Sequence, residues 1–292
     1  MSWPDADAPV AELFVASCRA EILALKPGNV HVHADGHGMT AQQFLDSAEA
    51  AAPPLTAPGR TVGERILDAV RATRAVAGCN TNLGIVLLTA PVAQALEEAR
   101  PGEALRQPLA RVLDGLTVGS AEKAYEAIRI ASPGGLGRSG NHDVAEKPRV
   151  TLLAAMQEAA GRDRIAAQYA GHYADVFEIG MRAVEDSRQA AADPVRAVEA
   201  AYWDFLTAFE DSHVARKHGN ATAAWLLRGA REIRGRLDET ASPLERKRIA
   251  LEFDEDLKRR GINPGTSADL AVCALFAVFA EDRLSSATPS HP

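Results

Sequence analysis

The sequence predicts an all-α fold, and three observations carry that expectation. Alanine is abundant while Phe, Trp and Tyr together make up 5% of the 292 residues. Alanine is the strongest helix former, whereas aromatic and β-branched residues favour strands. Apolar residues recur at three- and four-residue spacing along most of the chain, as on helices with one buried face. The breaks between those stripes carry helix-capping residues, glycines and prolines, with no partner strands for a sheet. We expect one domain over 1–292, with its core at about 9–284 and a polar, frayed tail at 285–292.

Taken in order, Pro9 to Leu25 reads as a helix with Val10, Leu13, Phe14, Cys18, Ile22 and Leu25 on one stripe. Pro27 ends it, since proline lacks the N–H that would continue the ladder. Thr40 with Gln43 forms a capping box that opens a second helix, and the stretch Ala51-Ala-Pro-Pro-Leu-Thr-Ala-Pro-Gly59 is expected to break it. Thr61 with Glu64 opens a third, with Gly78 placed at its C-terminus. The apolar run Ile85–Leu88 is read as helix rather than strand, kinked at Pro91. Further helices are expected at about 103–116, 120–130, 148–160, 163–191, 194–210, 220–239 and 242–260, the last opened by Ser242-Pro243 with Glu245. The final apolar helix begins near Asn263 and runs to about Ala280.

Several classes are disfavoured. A net charge of −7 argues against a nucleic-acid partner, which wants a basic surface. The longest apolar run, Leu270 to Ala280, is too short to span a bilayer. The first residues lack the basic and apolar regions of a signal peptide. Cys18, Cys79 and Cys273 are scattered and read as neither a disulfide framework nor a zinc site. The expectation is a soluble, cytoplasmic protein acting on small molecules, with a homodimer left open.

Chemistry is concentrated in the inter-helix segments. Lys26-Pro27-Gly28-Asn29-Val30-His31-Val32-His33 places a cation, an amide and two imidazoles around a rigid proline and a permissive glycine. Asn80-Thr81-Asn82 lies just before an apolar helix. The segment from Ser132 to Pro148 carries glycines at 134, 135, 137 and 140, with Arg138, His142, Asp143 and Glu146, and loops this long are usually functional or disordered. Asp211, His213, Arg216, Lys217 and His218 fall in another break, and Asn263, Gly265, Thr266, Ser267 and Asp269 stand at the start of the last helix. Helix N-termini favour anions, so such loops can build a phosphate and metal site. A structural reading stands beside this one: Thr266 or Ser267 as N-cap, with Asp269 complementing the dipole. Walker and G-x-S-x-G motifs are absent. The His142-Asp143 pair also suggests a metal-dependent phosphohydrolase of the HD type, although it lies in a loop rather than on a helix.

Four stretches in order carry a family likeness: Lys26-Pro-Gly-Asn-Val30, Asn80-Thr81 with Gly84, Asp211 followed by Arg216, and Asn263-Pro-Gly-Thr-Ser-Ala-Asp-Leu270. The chain resembles triphosphoribosyl-dephospho-CoA synthases. The resemblance implies an all-α fold, ATP as ribosyl donor, Mg²⁺, and adenine as leaving group. It implies as acceptor the ribose 2′-hydroxyl of 3′-dephospho-CoA, giving the prosthetic-group precursor of citrate- or malonate-decarboxylating enzymes. His31 stands where the citrate-lyase branch has aspartate, and Asn82-Leu83 where that branch has His-Lys. Ser132–Gly137, followed by His142-Asp143, replaces its arginine-glycine-glutamate loop. These departures resemble members from methanogens and methyl-metabolising bacteria. They imply, as an alternative, phosphoribosyl transfer to another acceptor in tetrahydromethanopterin-type cofactor synthesis.

The expected reaction is substitution at an anomeric carbon through an oxocarbenium-like state. We assign nucleotide and phosphate binding to Lys26, Gly28, Asn29, Asn80, Thr81, Asn82, Arg138, Arg216, Lys217, Asn263, Gly265, Thr266 and Ser267. Mg²⁺, which prefers oxygen ligands, is assigned to Asp143, Glu146, Asp211 and Asp269. The catalytic residues are expected to be His31, His142 and Asp143, with His31 or His142 as general base, because imidazole titrates near neutrality. A hydrolase and a non-catalytic nucleotide-binding protein remain as rival classes.

Overall fold

The computed structural model describes residues 1–34, 36–134 and 141–286, in which fourteen α-helices and one π-helical turn are found and no strand. Two isolated bridges, His31 to Ala34 and Gly36 to Met39, are the nearest approach to a sheet. The helices are α1 Val10–Leu23, α2 Ala41–Thr56, α3 Val62–Ala77, α4 Leu83–Glu98, α5 Arg106–Asp114, α6 Val118–Ala131 and α7 Leu152–Ala159. They continue as α8 Arg164–Ala170, the π turn Val176–Met181, α9 Arg182–Gln189, α10 Pro194–Ala208, α11 Ser212–His218, α12 Asn220–Glu239, α13 Pro243–Arg259 and α14 Gly265–Ser286. None is long and apolar enough to cross a membrane.

Helix α14 is the centre of the fold. Every residue from Leu270 to Ala280 is buried, and α1, α4, α10 and the π turn pack around it. A helix that is apolar on all sides has to be enclosed in this way. Buried side chains from all fourteen helices join one apolar cluster around it.

The capping signals hold. Thr40 with Gln43 and Thr61 with Glu64 form reciprocal capping boxes, and Gly78 closes α3 with a left-handed φ of 68°. Four expectations are corrected. Helix α2 ends inside the stretch expected to break it, but only at Thr56, after running through Pro53-Pro54. The prolines fall in its last turn, where Arg65 from α3 donates to the Leu55 carbonyl at 2.9 Å. The span 163–191 is three elements, not one helix, because His172 and Tyr173 adopt positive φ between α8 and the π turn. His172 is therefore in a turn rather than in a helix. The Asp211–His218 break is itself helical, as α11, with Asp211 as its N-cap.

Helix α4 continues through Pro91. Pro91 cannot donate to the Leu87 carbonyl four residues back. The Tyr169 hydroxyl donates to that carbonyl instead, from a ring with no solvent exposure. Tyr173 donates to the neighbouring Leu88 carbonyl at 2.8 Å. The two tyrosines thus fasten α8 and the chain after it to the middle of α4. We expect Tyr169→Phe to cost about 1–3 kcal/mol of stability by leaving a buried carbonyl unpaired. Urea unfolding measures this, and an unchanged midpoint would show that the Leu87 carbonyl has another partner.

Candidate active site

The opening motif is built into the protein rather than presented to solvent. Lys26 has no solvent exposure, and its ammonium donates to Glu21, to Asn29 Oδ1 at 2.6 Å and to the Val30 carbonyl at 2.8 Å. Burial pushes Glu21 up and Lys26 down, each opposed by the charge of the other. The Asn29 amide in turn donates to Asn263 Oδ1 at 2.8 Å, just before α14. Gly28, at φ 84°, donates to Asp254 Oδ1 of α13 at 2.8 Å. A Cβ on Gly28 would stand 2.8 Å from Pro264 and 2.9 Å from Leu257, so the backbone approaches closer than any side chain allows. His31 is likewise buried, with Nε2 3.3 Å from Asp254 and 3.4 Å from the Lys258 ammonium. Burial lowers its pKa, partly offset by Asp254.

A cavity of about 660 Å³ opens on the other side of the α14 N-terminus. Its walls come from α4, α6, α7, α8, α11 and α14, with the loop residues on either side of Gly135–Gly140. One wall is apolar: Leu83, Leu87, Ile128, Leu152 and Met156. The lining also carries Arg162, Asp163, Arg164, Arg216, His213, Thr266 and Asp269. A largely apolar lining with a few polar groups, at this volume, is the usual form of a small-molecule site.

Local capping fixes the polar wall. Asp163 caps α8, Oδ1 accepting from Ile165 and Ala166, and its Oδ2 lies 3.2 Å from Arg216. Arg164 pairs with Asp175 and stacks 4.1 Å over the Phe209 ring. Asp211 caps α11 through Val214 N and accepts from both N and Oγ of Ser267, at 2.8 and 2.9 Å, which ties α11 to α14. Ser212 Oγ and Thr266 Oγ1 meet at 3.0 Å beside this joint.

Asp269 is different. It has no hydrogen-bond partner among the described residues, and its carboxylate lies over the first turn of α4. A Cβ on Gly84 would fall 1.9 Å from Asp269 Oδ2, so only glycine leaves room for it. Burial, then the nearby charges of Glu21 and Asp211, raise its pKa well above the usual carboxylate range. Asp211 is raised by burial against its hydrogen bonds. His213 is moved the other way. Burial, then Arg216, Lys217, His37 and His218, lower its imidazole to about 4.

The structure brings together six of the residues assigned from sequence: Asn80, His142, Asp143, Arg216, Thr266 and Asp269 all line the cavity. His142 is exposed, and its backbone carbonyl accepts from Tyr125 at 2.7 Å. Lys26, Gly28, Asn29, His31 and Asn263 are instead absorbed in the buried clasp behind α14. Thr81 donates to Ser47 of α2 at 2.6 Å, and Asn82 is buried beside it with Oδ1 unpaired among the described residues. Ser267 and Asp211 are spent on each other, and Gly265 packs against His213. Lys217 and Glu146 are exposed and do not line the cavity. Arg138 lies outside the described residues. The four assigned Mg²⁺ ligands are not gathered, and no group of three or more His, Cys, Asp or Glu able to hold a metal occurs among the described residues. Sequence reasoning missed Arg162, Asp163 and Arg164, which it left at the join between the helices expected at 148–160 and 163–191 without giving them a role, although Gly161-Arg-Asp-Arg164 is itself a polar N-cap signal. It counted His213 among the loop histidines without giving it a role.

The family model for the ATP:dephospho-CoA triphosphoribosyl transferases (CitG) matches residues 7–288. The chain belongs to this family. Membership makes it a transferase whose donor is ATP. Its fold is similar to a crystal structure from Archaeoglobus fulgidus, of a protein provisionally described as a triphosphoribosyl-dephospho-CoA synthase. The two share 24% identity with a TM-score of 0.62, over 82% of this chain and 99% of that one, a likeness of fold. No curated protein matches the chain significantly.

Within this family member the Lys26 clasp has a measurable cost of removal. We expect Lys26→Met to destabilise by about 3–5 kcal/mol, since it leaves the Glu21 carboxylate buried without a countercharge. The double variant Glu21→Met with Lys26→Met should recover a large part of that loss in the same denaturant titration. A single variant as stable as wild type would contradict the burial of the pair.

Proposed function

We propose that the chain transfers the triphosphoribosyl group of ATP to a hydroxyl of dephospho-CoA, inside the cavity between α4, α8, α11 and α14. The observation that carries the reading is the family match over residues 7–288, in a chain whose cavity is lined by both apolar side chains and arginines. Moving a triphosphoribosyl group out of ATP means breaking the bond between ribose C1′ and adenine. Adenine departs with the bonding pair, the acceptor oxygen bonds to C1′, and the hydroxyl proton is the net proton gained by adenine.

Each wall suits a part of that reaction. The apolar side, with Leu83, Leu87 and Met156, takes a purine ring. Arg216 and Arg162 face the phosphates, which compete with Asp163 for Arg216. Positive charge develops at C1′ as the glycosidic bond stretches. A carboxylate held near that carbon stabilises it, and Asp269, which lines the cavity with no hydrogen-bond partner among the described residues, would take that role once an arriving cation ionises it.

Mg²⁺ fits the same residue. Mg²⁺ is commonly held by one or two carboxylates plus substrate phosphates rather than by a protein cage. Asp269, unpaired and pressed by other carboxylates, is the donor that would hold it. The ion would supply charge neutralisation between that carboxylate and the triphosphate. Asp211 does not fit, since its oxygens are committed to Val214 and Ser267.

The test is product analysis with ATP, Mg²⁺ and a panel of hydroxyl acceptors. We expect adenine to appear in step with a triphosphoribosylated product when 3′-dephospho-CoA is present, and no inorganic phosphate. Asp269→Asn should cut adenine release by at least about tenfold, the scale at which loss of one electrostatic group is felt. Phosphate release without an acceptor would point to a hydrolase. Adenine release with a pterin-type acceptor alone would move the chain to a different acceptor class.

A further inference from the structure

The cavity contains one imidazole held by helices rather than by a loop. His213 is the second residue of α11, and its backbone N–H donates to Thr266 Oγ1 of α14 at 3.1 Å. Its ring packs on Gly265, where an added Cβ would lie 3.0 Å from Nδ1. Neither ring nitrogen has a hydrogen-bond partner among the described residues, and the residue lines the cavity between Arg216 and Thr266. The other imidazoles assigned from sequence are placed less well. His31 is fully buried and engaged with Asp254 and Lys258. His142 stands exposed on a loop, at a left-handed φ of 51°.

We propose that His213 is the catalytic base that takes the proton from the acceptor hydroxyl as its oxygen bonds to C1′. The inference rests on the reading of the cavity given above. The proton passes from the acceptor oxygen to a free ring nitrogen of His213 and on to the departing adenine, so no other reactant is consumed. Two features of the site suit the role. A base has to be uncharged before the step, and burial of the ring, then the neighbouring Arg216, Lys217, His37 and His218, favour the uncharged form. A triphosphate bound on Arg216 cancels part of that positive field and makes the nitrogen more basic once substrate is in place, when basicity is needed. Anchoring on two helices, with glycine opening the slot, holds the ring in position as a catalytic group requires.

The experiment compares His213→Gln and His213→Ala with wild type, using ATP, Mg²⁺ and 3′-dephospho-CoA. Loss of a general base costs about 10²–10⁴-fold in rate. We expect that fall in kcat, with KM for ATP within about threefold and unfolding midpoints near wild type. Added 4-methylimidazole should restore part of the His213→Ala turnover, more strongly as pH rises and more of it is uncharged, which a merely structural role would not produce. Turnover within about threefold of wild type in both variants would overturn the role of His213 while leaving the cavity reading intact. So would a loss carried by KM or by unfolding, with no rescue. A wild-type enzyme that releases no adenine with any acceptor would overturn the cavity reading and this inference with it.

Discussion

A single buried ammonium organises this protein. Lys26 sits where water cannot reach it, and an ion there is tolerable only if its hydrogen bonds are made and its charge is matched. Glu21 supplies the charge from the last turns of α1. Asn29 and the Val30 carbonyl supply the remaining acceptors, which forces residues 26–30 into a tight bend. The bend then hands its own groups outward: Pro27 O accepts from Tyr202 of α10, Gly28 donates to α13, and Asn29 reaches Asn263. Four helices are fixed relative to one another through six residues. The last of those links sets where α14 begins.

The position of the α14 N-terminus decides the chemistry on its other face. Thr266 and Asp269 lie in the first turn and a half of α14, and their placement is shared with α11 through Asp211 and with α4 through the missing Cβ of Gly84. Beside its paired groups the site therefore holds two without a hydrogen-bond partner among the described residues, the Asp269 carboxylate and the His213 ring. Such groups are costly to keep and occur where a ligand completes them. In the clasp the Lys26 ammonium, the Asn29 amide and the Asp254 carboxylate are all paired, while His31 Nδ1 is buried without a partner among the described residues.

The fold was legible because its signals are local. Capping boxes at Thr40 and Thr61, the left-handed Gly78 and the all-apolar stretch of α14 can be read from a few adjacent residues. The errors lay where distant residues intervene. Nothing near Pro53-Pro54 announces that α2 will run on to Thr56, and nothing near Tyr173 announces the turn that divides 163–191. The site was half legible for the same reason. Sequence gathers chemistry-bearing residues into loops, but it does not say on which side of a helix each will lie. Lys26 and Asp269 belong to motifs of equal apparent promise. Burial makes one a structural countercharge, and a glycine on another helix makes the other a wall of the cavity.

The most direct measurement is a crystal structure with ATP, Mg²⁺ and dephospho-CoA bound, trapped with a donor analogue whose glycosidic bond cannot break. The account predicts the triphosphate against Arg216 and the α14 N-terminus, the purine on the Leu83–Leu87 wall, and ribose C1′ between Asp269 and His213. The Lys26 clasp should be unchanged from the free protein. A nucleotide bound outside this cavity, or one contacted directly by the Lys26 ammonium, would contradict it.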